Sequence, residues 1–259
     1  MATRDLLPAE RQMEILDRIR RDGRVLATEL AREYSTSEDT VRRILRDLAS
    51  QGLCARVYGG ALAISPASGD ALQRREDAVD RKLALGEKLA AIVRPRQFIF
   101  IDAGSTNLAA AKSLAKDIGI TVATHDPTIA AALVDRTDLT LITIGGQVSP
   151  RVGAAVDGQA LRQILDLRPD LLLLGTCAMD AEDGIAAFFS EDAQVKRSLI
   201  ERSGSIAIAA LNEKLSASAP FRVAGVDVIS DLVIEADAPK QAVSRFERMG
   251  IRAHRARKL

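Results

Sequence analysis

The sequence predicts an α/β protein in two parts: a small helical unit closed by a hairpin over residues 1–64, and a larger domain over residues 81–259 built on an open parallel sheet. Two observations carry this. In the first part, apolar residues recur at helical spacing in three short segments and then give way to the alternating stretch LCARVYGGALAI, broken by Gly59 and Gly60. In the second, short unbroken apolar runs such as FIFID, ITVAT, LTLITIGG, LLLLGT and SIAIAAL alternate with helical stretches. Strands buried on both faces read as continuous apolar runs, and intervening helices are what parallel crossovers require. Between the parts the composition shifts to SPASGD, which places the boundary near Pro66 and a linker over residues 65–80.

A chain of 259 residues with 47% hydrophobic content can bury a substantial core, as one large domain or a small and a larger one. Its formal charge of +1 does not exclude a local basic patch, so a nucleic-acid site must be argued from placement. Cys54 and Cys177 lie far apart with no Cys-x-x-Cys spacing, so neither a metal cluster nor a disulfide framework is expected, and no cofactor motif is present. The N-terminal MATRDLLPAERQ lacks an apolar h-region, and runs such as residues 171–174 are far too short to span a bilayer. The expectation is a cytoplasmic protein with no membrane contact.

The first helix lies between Pro8 and Gly23, with Gln12, Ile15, Leu16 and Ile19 on one face. A short second helix carries Leu30, Ala31 and Tyr34 inward. The third follows the N-cap Ser37, with Glu38 and Asp39 in its first turn where the dipole favours acids. Val41, Ile44, Leu45 and Leu48 form its inner face, and Gly52 marks its end, leaving Thr40, Arg42, Arg43, Arg46 and Asp47 outward. The charged run 73–82 reads as a helix that could pack between the two parts, although a pure charge run is most often a solvated face. In the larger domain, helices are expected over residues 106–116 and 127–134, VDVISDLVI supplies a late strand, and IRAHRARKL reads as a solvated basic tail.

Helix, short helix, tight turn, arginine-faced helix and glycine hairpin, in that order, make a winged helix-turn-helix. Arg42, Arg43 and Arg46 share one side of the third helix, and arginine suits bidentate contact with guanine edges and phosphates. Double-stranded DNA is the expected partner. The candidate contacts are Thr36, Ser37, Thr40, Arg42, Arg43, Arg46, Arg56, Tyr58, Gly59 and Gly60.

In the larger domain, IDAGSTN closes a strand and opens a helix. Backbone amides of such a turn, with the helix dipole, favour an anion such as a phosphate, and Ser105 and Thr106 add hydroxyls; a Ser or Thr that merely caps the helix would look the same. Thr124, His125, Gly145, Gly146, Gly175, Thr176, Asp183 and Gly184 fall at strand ends, where open sheets bind ligands. Lys196 and Lys214 could supply positive charge, although each alone reads as a surface residue and His125 alone as a structural histidine.

The run LAREYSTSEDTVRRILRDLASQGLCARVYGGA resembles the N-terminal signature of the DeoR family of bacterial sugar-metabolism regulators. Ser37, Thr40, Val41, Arg42, Arg43, Leu45, Arg56, Val57, Gly59, Gly60 and Ala61 match it, while Ile44 replaces the family's Asp and Tyr58 its His. The resemblance continues along the chain through Asp102, Gly104, Ser105, Thr106, Gly145, Gly146, Glu191, Val195, Lys196, Arg197 and Lys214. It departs at His125, where the family has Asn, and at Leu211, where it has Asp. The resemblance implies a ribose-phosphate-isomerase-like second domain and a transcriptional regulator, in first place a repressor, of a carbohydrate operon, acting as a homo-oligomer. Its effector would be a phosphorylated sugar held by Asp102, Gly104, Ser105, Thr106, Thr124, His125, Gly145, Gly146, Gly175, Glu191, Lys196 and Lys214. Two alternatives stay open. One is an active sugar-phosphate isomerase drawing on Asp102, Asp180, Asp183, Glu191 or His125 for proton transfer; the other is a regulator whose pocket has degenerated.

Overall fold

A computed structural model describes residues 8–22, 24–51, 53–57, 59–63 and 71–259. Gly23, Gly52, Tyr58 and Pro66 lie outside the described residues. The first part runs α1 (Pro8–Asp22), β1 (Arg24–Leu26), α2 (Ala27–Glu33), α3 (Glu38–Ser50), β2 (Cys54–Val57) and β3 (Gly60–Ala63). Ser37 is extended, and its hydroxyl accepts from the Thr40 amide at 3.1 Å, so α3 starts where its cap dictates. Ile15 and Ile19 of α1, Leu30 of α2 and Val41, Leu45 and Leu48 of α3 form one small core.

The wing has three strands where the sequence showed two. β1 pairs antiparallel with β3 at the edge of a β1-β3-β2 sheet. Three residues abutting a helix are too few to display alternation, which is why β1 was not legible. Gly60 permits this pairing, since a Cβ there would stand 2.0 Å from the Val25 carbonyl oxygen.

The second part runs α4 (Ala71–Glu76), α5 (Val79–Ala90), β4 (Phe98–Ile101), α6 (Ser105–Lys112), β5 (Thr121–Thr124), α7 (Pro127–Leu133), β6 (Thr140–Thr143), β7 (Val148–Ser149), β8 (Ala154–Ala155), α8 (Gly158–Leu165) and β9 (Leu171–Leu174). There follow β10 (Ala178–Asp180), β11 (Gly184–Ala187), α9 (Ser190–Arg202), β12 (Ile206–Ala210), β13 (Phe221–Ala224), β14 (Asp231–Ile234), α10 (Lys240–Glu247) and β15 (Arg252–Arg255). Seven strands form a wholly parallel sheet in the order β15-β14-β12-β9-β4-β5-β6. Phe100, Leu172 and Leu174 face one layer of core, and Ile99, Ile101, Leu171 and Leu173 face the other, so the apolar runs are continuous because both faces are covered. From β4 the chain winds one way to β5 and β6, then returns to β9 on the other side of β4 and winds outward to β15. The crevice at the carboxyl ends of β4 and β9 is therefore the topological switch point.

Four expectations need correction. The charged run 73–82 is not one solvated helix: Ala78, with φ of 50°, breaks it between α4 and α5, and Lys82 is buried. The Lys82 ammonium donates to the carbonyls of Arg74 and, at 2.6 Å, Asp77, holding the end of α4 against α5. Of the expected linker 65–80, residues 65–70 lie outside the described residues, and the rest is α4 with the opening of α5. Helix α6 ends at Lys112, short of residue 116. The basic C-terminal stretch is not a solvated tail either. It forms β15, whose Arg252 and His254 bond Asp231 at 2.9 and 2.7 Å, while Ile251 and Ala256 are buried on either side. A basic edge strand reads as a tail because its outward side chains discourage further pairing.

Helices α5 and α6 meet at Gly86, where a Cβ would lie 2.6 Å from the Ala110 amide nitrogen and 2.7 Å from the Ala109 carbonyl carbon. Gly86→Ala is expected to destabilise the protein by at least about 1 kcal/mol although alanine is the better helix former, because backbone must move to admit the methyl. A lower urea midpoint at constant slope would record it.

Candidate functional site

Helix α3 stands out from the first part with Arg42, Arg43 and Arg46 exposed, and Arg56 is exposed on the wing. Arg42 pairs with Glu38 at 2.7 Å and Asp39 at 3.7 Å, exposed contacts worth only a few tenths of a kcal/mol. Ser37 and Thr40 are engaged with each other in the cap at 2.9 Å. The Thr36 amide closes the turn onto the Ala31 carbonyl at 2.9 Å. Gly59, with φ of +83°, accepts from the Ala27 amide at 2.8 Å and Gly60 faces β1, so both glycines shape the wing. Tyr58 lies outside the described residues.

The larger domain holds a cleft at the switch point, and its floor is built on Asp102. This side chain is fully buried after β4. One carboxylate oxygen accepts from the Ala103 amide at 2.8 Å and from His125 Nε2 at 2.9 Å. The other accepts from the Gly175 amide at 2.8 Å and from the Lys196 ammonium. Burial alone would raise the carboxyl pKa, but Lys196, His125 and these hydrogen bonds outweigh it and hold it at about 2. Gly175 is required, since a Cβ there would lie 2.2 Å from the Ala103 carbonyl oxygen.

His125, fully buried, lies between two acceptors, with Nδ1 2.8 Å from the Ala155 carbonyl oxygen and Nε2 on Asp102. The Ala103 amide also approaches Nε2, at 3.3 Å, so the ring is held by the backbone on either side as well as by the carboxylate. Burial opposes a positive charge on the ring, and Asp102 more than offsets the opposition, raising the pKa. Lys196 is likewise buried, and Asp102 and Asp192 together overcome its desolvation. Its reading as a surface lysine was wrong: it sits on α9 with its head under the sheet end. Thr124 secures the floor by donating to the Ile101 carbonyl at 2.8 Å, and Asn107 bridges the Asp102 and Leu173 carbonyls at 2.8 and 2.9 Å.

Above this floor, Gly104 is the N-cap of α6, and no side chain caps the helix. Neither Ser105 nor Thr106 is an N-cap; the residues opening the helix line the cleft instead, an arrangement that favours an anion. Lys214 lines the same cleft and donates to the Thr176 carbonyl at 2.7 Å. Burial lowers its pKa to about 8, with Lys82 and Arg74 pushing the same way against Cys177 and Glu213. Lys214 too is half-buried rather than a surface residue. Arg74 of α4 reaches the cleft and holds the Val152 carbonyl at 3.0 Å, while Arg151 stacks over Phe189 at 4.6 Å.

The structure thus gathers Gly104, Ser105, Thr106, Gly175, Lys196 and Lys214 on the walls and Asp102, Thr124 and His125 beneath them. It does not bring Gly145, Gly146 or Glu191 there. Gly145 exchanges hydrogen bonds with Gln163 at 3.3 and 3.0 Å, and Gly146 makes room for the Asp157 carboxylate that caps α8. Glu191 faces Arg151 at 3.9 Å in a neighbouring groove. Asp183 and Gly184 belong to the β10–β11 hairpin. Sequence reasoning missed Arg74, Arg151, Cys177, Phe189 and Asp192. Only Asp192 left a signal, four residues before Lys196 on one helix face.

Comparison with known proteins agrees with this architecture. The profile of the DeoR C terminal sensor domain matches residues 77–236, and that of the DeoR-like helix-turn-helix domain matches residues 11–67. The chain belongs to the DeoR family. This DeoR-family protein is a DNA-binding transcriptional regulator that joins a helix-turn-helix to a small-molecule sensor domain. It is 26% identical to the glycerol-3-phosphate regulon repressor of Escherichia coli K12 over 231 residues, covering 89% of this chain and 92% of the relative. It is 24% identical to the putative aga operon transcriptional repressor of Escherichia coli O157:H7 over 247 residues, covering 94% and 92%. Among solved structures, ribose 5-phosphate isomerase A of Methanocaldococcus jannaschii aligns at a TM-score of 0.38 and 11% identity over 52% of this chain and 53% of that one. No helix among the described residues is long and apolar enough to cross a membrane.

Lys196→Ala would leave the Asp102 charge in the floor without its ammonium, and is expected to cost about 3–5 kcal/mol in a urea titration at neutral pH. The Asp102 carboxyl is depressed from 3.8 to about 2, so its contribution is full above about pH 4 and lost as pH falls through 2. Acid unfolding of Asp102→Asn should accordingly be less steep over that interval than that of the parent.

Proposed function

We propose that this regulator represses a carbohydrate-metabolism operon by binding paired operator half-sites as a homo-oligomer, and that a phosphorylated sugar in the switch-point cleft releases it. The DNA contacts are assigned to Arg42, Arg43 and Arg46 on α3, with Arg56 on the wing and Thr36, Ser37 and Thr40 setting the approach. The observation that carries the effector assignment is the opening of α6 without a side-chain cap, in a cleft that Lys214 and Arg74 also line. Backbone amides at a helix N-terminus, two hydroxyls and two cations suit a phosphate dianion. The names of the glycerol-3-phosphate and aga operon repressors support a sugar-related effector.

Helix α4, within the expected linker 65–80, is the first described helix after the wing. Because Arg74 on α4 lines the cleft, an anion there alters the contacts of the segment leading to the DNA-binding domain. Both sites then bias one equilibrium, which is the requirement for allosteric release.

An isomerase would need a base beside the sugar carbons. Asp102 is held at about 2 with both oxygens engaged, and the His125 ring nitrogens face two acceptors, so neither is poised to take a proton. Asp180 accepts the Glu182 amide at 2.9 Å in the β10–β11 turn, Asp183 shares that hairpin, and Glu191 lies outside the cleft. Binding without turnover across a panel of sugar phosphates is the expected outcome.

Arg42→Ala with Arg43→Ala should weaken binding to DNA upstream of the protein's own gene and flatten its dependence on salt by about 2 in logarithmic slope, measured by fluorescence anisotropy. Lys214 loses its charge as pH rises through about 8, so anion affinity in the cleft should fall between pH 7 and 9, with calorimetric titration as the measurement.

A further inference from the structure

The floor of the cleft satisfies almost every polar atom it contains, with one exception on the wall above it. Asp192, in the first turn of α9, is 3% exposed and lines the cleft. Its Oδ1 has no hydrogen-bond partner among the described residues. Its ion-pair partner is the Lys196 ammonium at 3.3 Å, which also serves Asp102. A buried carboxylate oxygen without a donor is costly, and such atoms in native proteins have a reason. Here the acceptor belongs to the wall of a ligand cleft.

Building on the sugar-phosphate reading of that cleft, we propose that the effector carries a hydroxyl group that donates to Oδ1 of Asp192 while its phosphate occupies the opening of α6. The donor must be neutral, because the Lys196 ammonium already stands 3.3 Å from this oxygen and a second cation would face it. A hydroxyl adds no charge and supplies a hydrogen bond to an oxygen whose burial pushes the Asp192 carboxyl pKa up. The phosphate lies instead with Ser105, Thr106 and Lys214, so the two ends of the ligand are read by groups of opposite character. Phe189, beside Asp192 on the wall, offers an apolar surface to the carbon chain between them. Bare phosphate or a small diacid leaves Asp192 without a donor or sets lone pairs against it. Asp192 is in this way a specificity-determining residue that selects polyol phosphates from other anions.

The test is calorimetric titration of the full chain with inorganic phosphate, with sugar and polyol phosphates from trioses to hexoses, and with deoxy analogues of the tightest binder. The parent should prefer a hydroxylated phosphate over inorganic phosphate, and removing one particular hydroxyl should erase roughly tenfold or more of that preference. Asp192→Asn and Asp192→Ala should lose the same preference while binding inorganic phosphate as tightly as the parent or more so, since a negative charge has left the cleft. Retained phosphate binding also reports that the variants are folded, and the deoxy series needs no variant. An unchanged preference in both variants, or a parent indifferent to every deoxy substitution, overturns the role of Asp192 and leaves the cleft assignment standing. Selection of an amine-bearing phosphate over its hydroxyl counterpart overturns the neutral donor. A parent that binds none of the phosphates overturns the cleft assignment itself.

Discussion

The larger domain depends on one buried carboxylate. Asp102 receives the amides of Ala103 and Gly175, the ring of His125 and the ammonium of Lys196, and so joins the ends of β4, β5 and β9 to helix α9. Through His125 the connection extends to the Ala155 carbonyl after β8. A parallel sheet places its carboxyl ends near one another but does not fix the loops that leave them. The ion cluster does, because each member is desolvated and would be left as an uncompensated charge if any segment withdrew.

That cluster frees the opening of α6 for a ligand. With Asp102 fully engaged below and Asn107 tied to the backbone on either side, the residues from Gly104 to Thr106 are held in place while still facing the cleft. Rigid presentation of donors is what gives an anion site its selectivity, since little ordering remains to be done on binding. A second contribution comes from α4, which brings Arg74 into the same cleft and whose end Lys82 secures. One cleft is thus shared between the rigid sheet end and the helix nearest the DNA-binding part.

Much of the fold was legible because its signals are local. The cap at Ser37, the inner face of α3 and the continuous runs of β4, β9 and β12 each declare themselves within a few residues. β1 and β15 did not: the one is too short to alternate, and the other carries charge on its exposed positions. In the cleft, the Gly-Ser-Thr turn could be read as a phosphate cradle, but Gly145, Gly146 and Glu191 were grouped with it on pattern and belong elsewhere. Arg74 was hidden in a charged run, and nothing in such a run marks which arginine turns inward.

The sequence by itself determined the order of elements, the arginine-faced helix and the strand-to-helix turn that invites an anion, because periodicity, capping and backbone geometry act over a few residues. Tertiary structure alone decided the raised pKa of His125, the burial of Lys196 and the unpartnered buried oxygen of Asp192. Those properties arise where β4, β5, β9 and α9 converge from distant parts of the chain. A side chain's solvation and its charged neighbours are set by that convergence, and no stretch of sequence contains both partners.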